Sequence, residues 1–250
     1  MIPVANVLQP LIDVVNSVLK FFHDDAGLSW GGAIIALTIV TRAVLIPLTY
    51  RQLKGMRALQ ALQPQIKEIQ AKYKNDRQRM QQEMMRFYQE NKVNPFASCI
   101  PLLAQLPVFF TLFYVLRNEL PDDIGCKAGH CGSEASFLFI NDLTAKAHGA
   151  ELITLLVLYV GTQLISGLVM SVTADKSQRT MMLVLPFIFV PFVISFPAGL
   201  VLYWITTNTW TIGQQYVIQR VVPPPHVATP EEVKAAKPPP PPPKKKKRRK

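Results

Sequence analysis

Hydrophobic and polar positions divide this chain into long apolar runs separated by short, strongly polar stretches. Trp30 to Tyr50, WGGAIIALTIVTRAVLIPLTY, is the first run long enough to cross a bilayer, whose core takes about 20 helical residues. Pro95 to Leu116 is a second, without a charge, and Leu152 to Val172 a third. Residues 181–218 carry no charge over 38 positions. One crossing of a core ~30 Å thick cannot use that length without extreme tilt. Two short spans joined at Phe196-Pro197-Ala198-Gly199 account for it. The pattern predicts an all-α polytopic membrane protein with five transmembrane helices at 28–50, 95–117, 151–172, 181–196 and 197–219.

The stretches between have their own periods. In residues 1–27, Leu11, Val14, Val15, Val18, Phe21 and Phe22 fall at helical spacing. They read as an amphipathic helix in the membrane interface or as a short, tilted extra span. Residues 51–94 repeat Leu53, Met56, Leu62, Ile66, Ile69 and Tyr73, and after Lys74-Asn75-Asp76 the series Met80, Met84 and Phe87. That spacing predicts a helical hairpin with one apolar seam and a wet exterior. Pro64 should kink its first arm or restart it. In segment 118–150 the apolar FLFINDL at 137–143 is a candidate for the membrane surface, and 173–180 is a short polar loop. Residues 220–250, rich in proline and ending KKKKRRK, cannot bury a core and should be disordered.

Charge then sets an orientation. The formal net charge of +11 would suggest nucleic acid in a soluble domain, but here it is confined to compact blocks between uncharged runs. Residues 51–95 hold ten Lys/Arg against four Asp/Glu, and the tail holds ten against two. These blocks and the loop 173–180 should be cytoplasmic, while the acid-leaning segment 118–150 should be outside. Five spans, with the N-terminus outside and the C-terminus in the cytoplasm, satisfy all of these. The first apolar run lacks a basic leader and a small-residue cleavage site, so no cleavable signal is expected.

Candidate chemistry lies inside the spans. Arg42 is the one charge within the first span, and an intramembrane arginine costs about 2.5–3.5 kcal/mol on insertion scales unless compensated. It could snorkel to nearer headgroups. No carboxylate lies in any span to pair with it, which favours water or a transient ligand. Thr38 shares its face; Gln105 lies in the second span, Gln163 in the third, and Trp204, Asn208 and Gln215 in the fifth. Each face could be ordinary interhelical hydrogen bonding, and together they favour a shared water-filled cavity. Cys126 and Cys131, in CKAGHC, would lie outside, where a disulfide persists; a metal site using His130 would have only three ligands. Enzyme motifs such as H-E-x-x-H, G-x-S-x-G or a phosphate-binding glycine loop are absent, so neither an enzyme nor a cofactor is expected. The tail could hold anionic lipid or ribosomal RNA.

The ordered set TIVTRAVLIPLTYRQLKGMRALQALQPQIKEIQAKY (38–73), QQEMMRFYQENKVNPFASCIPLLAQLPVFF (81–110), FLFINDL and LYWITTNTWTIGQQYVI (202–218) resembles the YidC/Oxa/Alb family of membrane protein insertases. The resemblance covers about residues 27–220. It implies a five-helix core around a positively charged hydrophilic groove, open to the cytoplasm and lipid and closed outside. The family's groove arginine falls on Arg42, and its groove-lining residues on Gln105, Gln163, Trp204 and Asn208. The hairpin corresponds to a mobile substrate-receiving element, and the chain resembles the compact members lacking a large periplasmic domain. The implied partners are nascent membrane proteins, membrane lipids, the Sec translocon, and the ribosome through the tail 234–250 and hairpin 51–94. The implied location is the bacterial cell membrane. A small channel or transporter with Arg42 as an anion site is the competing expectation, and a tether acting through the tail is a third.

Overall fold

The computed structural model describes residues 4–91, 93, 100–125, 132–170 and 176–221. The described residues fall into two compact units, one within 4–56 and 100–221 and one within 57–93. Among the described residues the structure is helical, with two isolated β-bridges and no strand. That is the architecture hydrocarbon demands, since a helix satisfies its backbone groups within itself.

In the first unit, helix α1 (Val4–Lys20) buries Ile12, Val15 and Leu19, three and four residues apart, and leaves Val14 exposed. It packs on α2 (Trp30–Val44) and on α6 (Ile100–Tyr114). Lys20 at its C-terminus forms an ion pair with Asp123 at 2.7 Å. A wide π-type turn, Phe21–Asp25, and Gly27 in the left-handed region (φ 69°) reverse the chain into α2. His23 stacks on Trp30 with centroids 4.0 Å apart, and its ring nitrogen meets the Leu28 carbonyl at 2.7 Å.

Helix α2 ends at Val44, and α3 (Ile46–Ala61) begins at an angle, with the segments Trp30–Val44 and Ile46–Gln52 bent by 54°. Pro47 is the physical cause. It has no N–H for the Ala43 carbonyl, and its ring crowds that carbonyl. The apolar run over 28–50 is therefore built of two helical segments, with Arg42 in the last turn before the bend.

Helix α6 runs into a second π-type turn, Val115–Glu119, and the short α7 (Leu120–Asp123). The segment after Gly132 then folds on itself. Phe137 and Ile140 exchange backbone hydrogen bonds of 2.9 and 2.8 Å, and Asp142 accepts from the Thr144 amide and hydroxyl at 2.8 and 2.7 Å. Ala135, Ile140, Leu143 and Ala147 are buried beneath it. The carbonyls of Ala145 and Leu143 accept the amides of Ala198 and Gly199 at 2.8 and 2.9 Å, so this segment caps the first turn of α10 (Ala198–Val221). A Cβ on Gly199 would lie 2.9 Å from the Leu143 oxygen, and one on Gly31 would overlap the Phe137 ring, so glycine at both places permits the close approach.

Helix α8 (Gly149–Met170) packs on α9 (Lys176–Val193), and α10 packs on both α8 and α2. Ile34, Leu112, Leu116, Leu155, Leu200 and Tyr203 are among the fully buried side chains of the core. Among the described residues, Gly149–Val169 is the one single helix long and apolar enough to cross a membrane, and only 17% of its apolar window is buried inside the protein. A helix with that much bare apolar surface belongs in lipid rather than in a soluble core. The bent pair passes the same length test as a unit, and Arg179–Val193 is a shorter apolar helix.

The second unit holds α4 (Gln63–Lys72) and α5 (Arg77–Glu90), packed on each other. Pro64 sits in the first turn of α4, where a missing N–H costs no hydrogen bond. Asp76 caps α5 by accepting from the Arg79 amide at 3.0 Å. Lys72 and Arg79 each lie 5.5 Å from the Tyr73 ring centroid, and Arg86 pairs with Glu90 at 2.9 Å on the exposed face. The hydrogen bond to Glu90, and then the charges of Glu90 and Glu83, push Arg86 above the usual arginine range.

Candidate functional site: a polar cluster beside Arg42

The site is assembled from α2, α6 and α10. Thr38 and Arg42, one turn apart, share a face of α2. Thr38 is buried, and its hydroxyl donates to the Ile34 carbonyl at 2.7 Å, which leaves its oxygen free only as an acceptor. Arg42 is half-buried, and its Nε is buried with no hydrogen-bond partner. Among the described residues the ion pairs are Lys20–Asp123 and Arg86–Glu90, and neither engages Arg42. Across from Arg42, within electrostatic range, is the buried hydroxyl of Tyr203. Gln105 of α6 donates its amide to that hydroxyl. Thr207 follows one turn on from Tyr203 and is buried.

A second polar contact joins α8 and α10. Asn208 donates to the Thr162 hydroxyl oxygen at 3.4 Å, a long bond, while Thr162 donates to the Leu158 carbonyl at 2.7 Å. Gln163 is half-buried on α8 and Gln215 buried on α10, and neither joins the Arg42 cluster by a hydrogen bond. Trp204 has a different setting. Its ring stacks on Phe109 at 5.4 Å and meets Phe196 edge-on at 5.6 Å and Tyr159 at 5.9 Å. It closes the polar cluster with an aromatic wall.

The structure therefore brings together Thr38, Arg42 and Gln105, places Asn208 and Trp204 alongside through α10, and leaves Gln163 and Gln215 outside the hydrogen-bonded group. Sequence reasoning missed Tyr203. Stepping back from Asn208 by four gives Trp204, whereas the residue that meets Gln105 is one position earlier, on the stripe Tyr203–Thr207. The signal available was the buried pair at i and i+4 facing an intramembrane arginine. Cys126, Cys131 and the tail 234–250 lie outside the described residues. Among the described residues no group of three or more His, Cys, Asp or Glu is placed to hold a metal.

Chemically, the cluster offers a cation with unspent donors and hydrogen-bonding groups in the interior of a helical membrane protein. Comparison with known proteins agrees with that class. Residues 21–225 match the family described as 60Kd inner membrane protein. The chain is 36% identical to the membrane protein insertase YidC of Streptomyces avermitilis, over 89% of this chain and 58% of that protein. It is 39% identical to the YidC of Geobacter sulfurreducens, over 82% of this chain and 36% of that protein. A crystal structure described as an active YidC insertase with its first transmembrane domain resolved superposes with a TM-score of 0.64 at 28% identity, covering 86% of this chain and 47% of that one. The chain belongs to the 60Kd inner membrane protein family, the YidC/Oxa/Alb membrane protein insertases. It spans between about a third and three fifths of the length of these relatives.

Proposed function

We propose that this protein inserts nascent membrane proteins into the bacterial cell membrane and helps them fold, without nucleotide hydrolysis, alone or with the Sec translocon. The observation that carries the reading is Arg42, a half-buried cation with no carboxylate partner among the described residues, set beside the Tyr203–Gln105 pair. A charge built into a membrane protein without a partner is a cost unless something arrives to use it. In this reading five spans enclose a hydrophilic groove that opens to the cytoplasm and lipid. The polar or acidic flank of a substrate enters it, and Arg42 and its neighbours supply charge and hydrogen bonds partway across. That flank never meets bare hydrocarbon. The apolar part of the substrate passes into lipid, and its burial drives the process. The basic hairpin 51–94 receives substrates and, with the tail 234–250, meets the ribosome.

Reconstitution into liposomes with a labelled single-span substrate tests this. Insertion, read as protease protection, should require the protein and fail when residues 57–90 are deleted. A channel built on the same cluster would instead pass anions and ignore the deletion. Anion flux without insertion would overturn the proposal.

A further inference from the structure

A second cavity runs along α10. It is a cleft of about 850 Å³ walled by α2 and α3, by α8 and by α10. Along α10 it runs from Leu202 to Ile218, roughly 24 Å at the helical rise. Its wall is dry. The two threonines in it, Thr206 and Thr209, donate to the Leu202 and Ile205 carbonyls of their own helix at 2.9 and 2.8 Å and so present methyl groups. Trp210 spends its indole N–H on Gln214 at 2.9 Å.

The two ends of the cleft differ. One is closed by the apolar turn at Phe137–Ile140. At the other end, past Tyr50 and Ile218, stand two exposed arginines. Arg51 directly follows Tyr50, and Arg220 continues the stripe of Gly213 and Val217 at steps of seven and three, with its guanidinium 4.6 Å from the Tyr216 ring centroid. A slot that is apolar along its length and cationic at one mouth has the polarity of a phospholipid.

Its lining is almost wholly apolar, so the cleft suits hydrocarbon chains. Among the lining groups, the Gln214 Nε2 is a buried donor without a partner.

We propose that this cleft is a binding site for one anionic phospholipid, with its acyl chains against α8 and α10 and its phosphate on Arg51 and Arg220. The lipid comes from the leaflet on the arginine side. The site would hold lipid along α10 between Leu202 and Ile218, and it stands whether or not the insertase reading does.

Gly213 supplies a clean test. It lines the cleft, and a Cβ there would meet nothing within 4 Å, so a large side chain can fill the space without disturbing the helix. The full-length protein is purified in detergent and titrated with phosphatidylglycerol or phosphatidylcholine, and bound lipids are counted by native mass spectrometry. Wild type should retain one phosphatidylglycerol in preference to phosphatidylcholine, and Gly213→Ala should behave the same. Gly213→Phe should retain at least tenfold less while keeping its helical circular dichroism. Arg220→Gln should bind both lipids but lose the preference between them. Equal retention by Gly213→Phe and wild type would overturn the proposal. So would the absence of a discrete bound lipid in wild type, or a mass showing that Gly213→Phe dissociates a dimer, which would put protein in the cleft. Because lipid is counted rather than insertion, failure here is distinct from failure of the function proposed above.

Discussion

Two sets of side chains along α10 are made of similar residue types and meet different surroundings. One comprises Tyr203, Thr207 and Asn208 and meets Gln105, Arg42 and Thr162. The other comprises Thr206, Thr209, Trp210 and Gln214 and lines an apolar cleft. Counting polar side chains does not distinguish them. The difference lies in charge and in how far the bonds reach. Along the cleft, threonine hydroxyls are used by their own helix and the Trp210 indole by Gln214, whose Nε2 stays unpartnered. In the cluster, a hydrogen bond runs between helices from Gln105 to Tyr203, beside a cation whose Nε has no partner. In a bilayer, unspent hydrogen-bonding capacity is what a passing polar segment can use.

Substitutions can break or sharpen that contrast. The largest effect is expected for Arg42→Ala, which should lower insertion of a substrate with an acidic flank by at least about tenfold, or ~1.4 kcal/mol. Arg42→Lys keeps the charge without the planar fork and should fall between Arg42→Ala and wild type. Protease protection in proteoliposomes reads both. Next is Gly199→Ala, which drives a methyl toward the Leu143 carbonyl under the cap of α10. It should cost roughly 1–3 kcal/mol of stability, seen as a lower thermal midpoint in detergent, with both sets of α10 side chains perturbed together. Tyr203→Phe removes the acceptor of the Gln105 amide. It should cost about 1 kcal/mol and slow insertion severalfold without altering lipid retention in the cleft. Thr209→Val, along the cleft, should leave insertion within a factor of about two of wild type, because the lost hydrogen bond was local. A large insertion defect in Thr209→Val would mean that the two sets are not functionally distinct.

Much of this was legible in the sequence. Apolar runs with helical periods implied an all-helical membrane protein, and the motifs at 38–73, 81–110 and 202–218 implied the family. Arg42 stood out because a charge in an apolar run is costly wherever the chain folds. Other features depend on three-dimensional neighbours. Pro47 bends the first run because it acts on the Ala43 carbonyl one turn back, and a hydropathy pattern averages over that. Tyr203 reads as an apolar residue until Gln105, from 98 positions earlier, is placed against its hydroxyl. The cap on α10 is invisible as a motif because its bonds are between backbones, Ala145 and Leu143 to Ala198 and Gly199. The cleft exists only because four helices and a turn converge.

The measurement that bears most directly on the central claim is a charge cycle between Arg42 and the substrate. Two single-span substrates differing by one Asp or Asn in the translocated flank are inserted by wild type and by Arg42→Ala in the same proteoliposomes. If Arg42 serves passing segments, wild type should insert the Asp substrate more efficiently relative to Asn than Arg42→Ala does, with a coupling of about 1 kcal/mol or more. An Asp-to-Asn ratio identical in the two proteins would contradict the account, whatever the absolute rates.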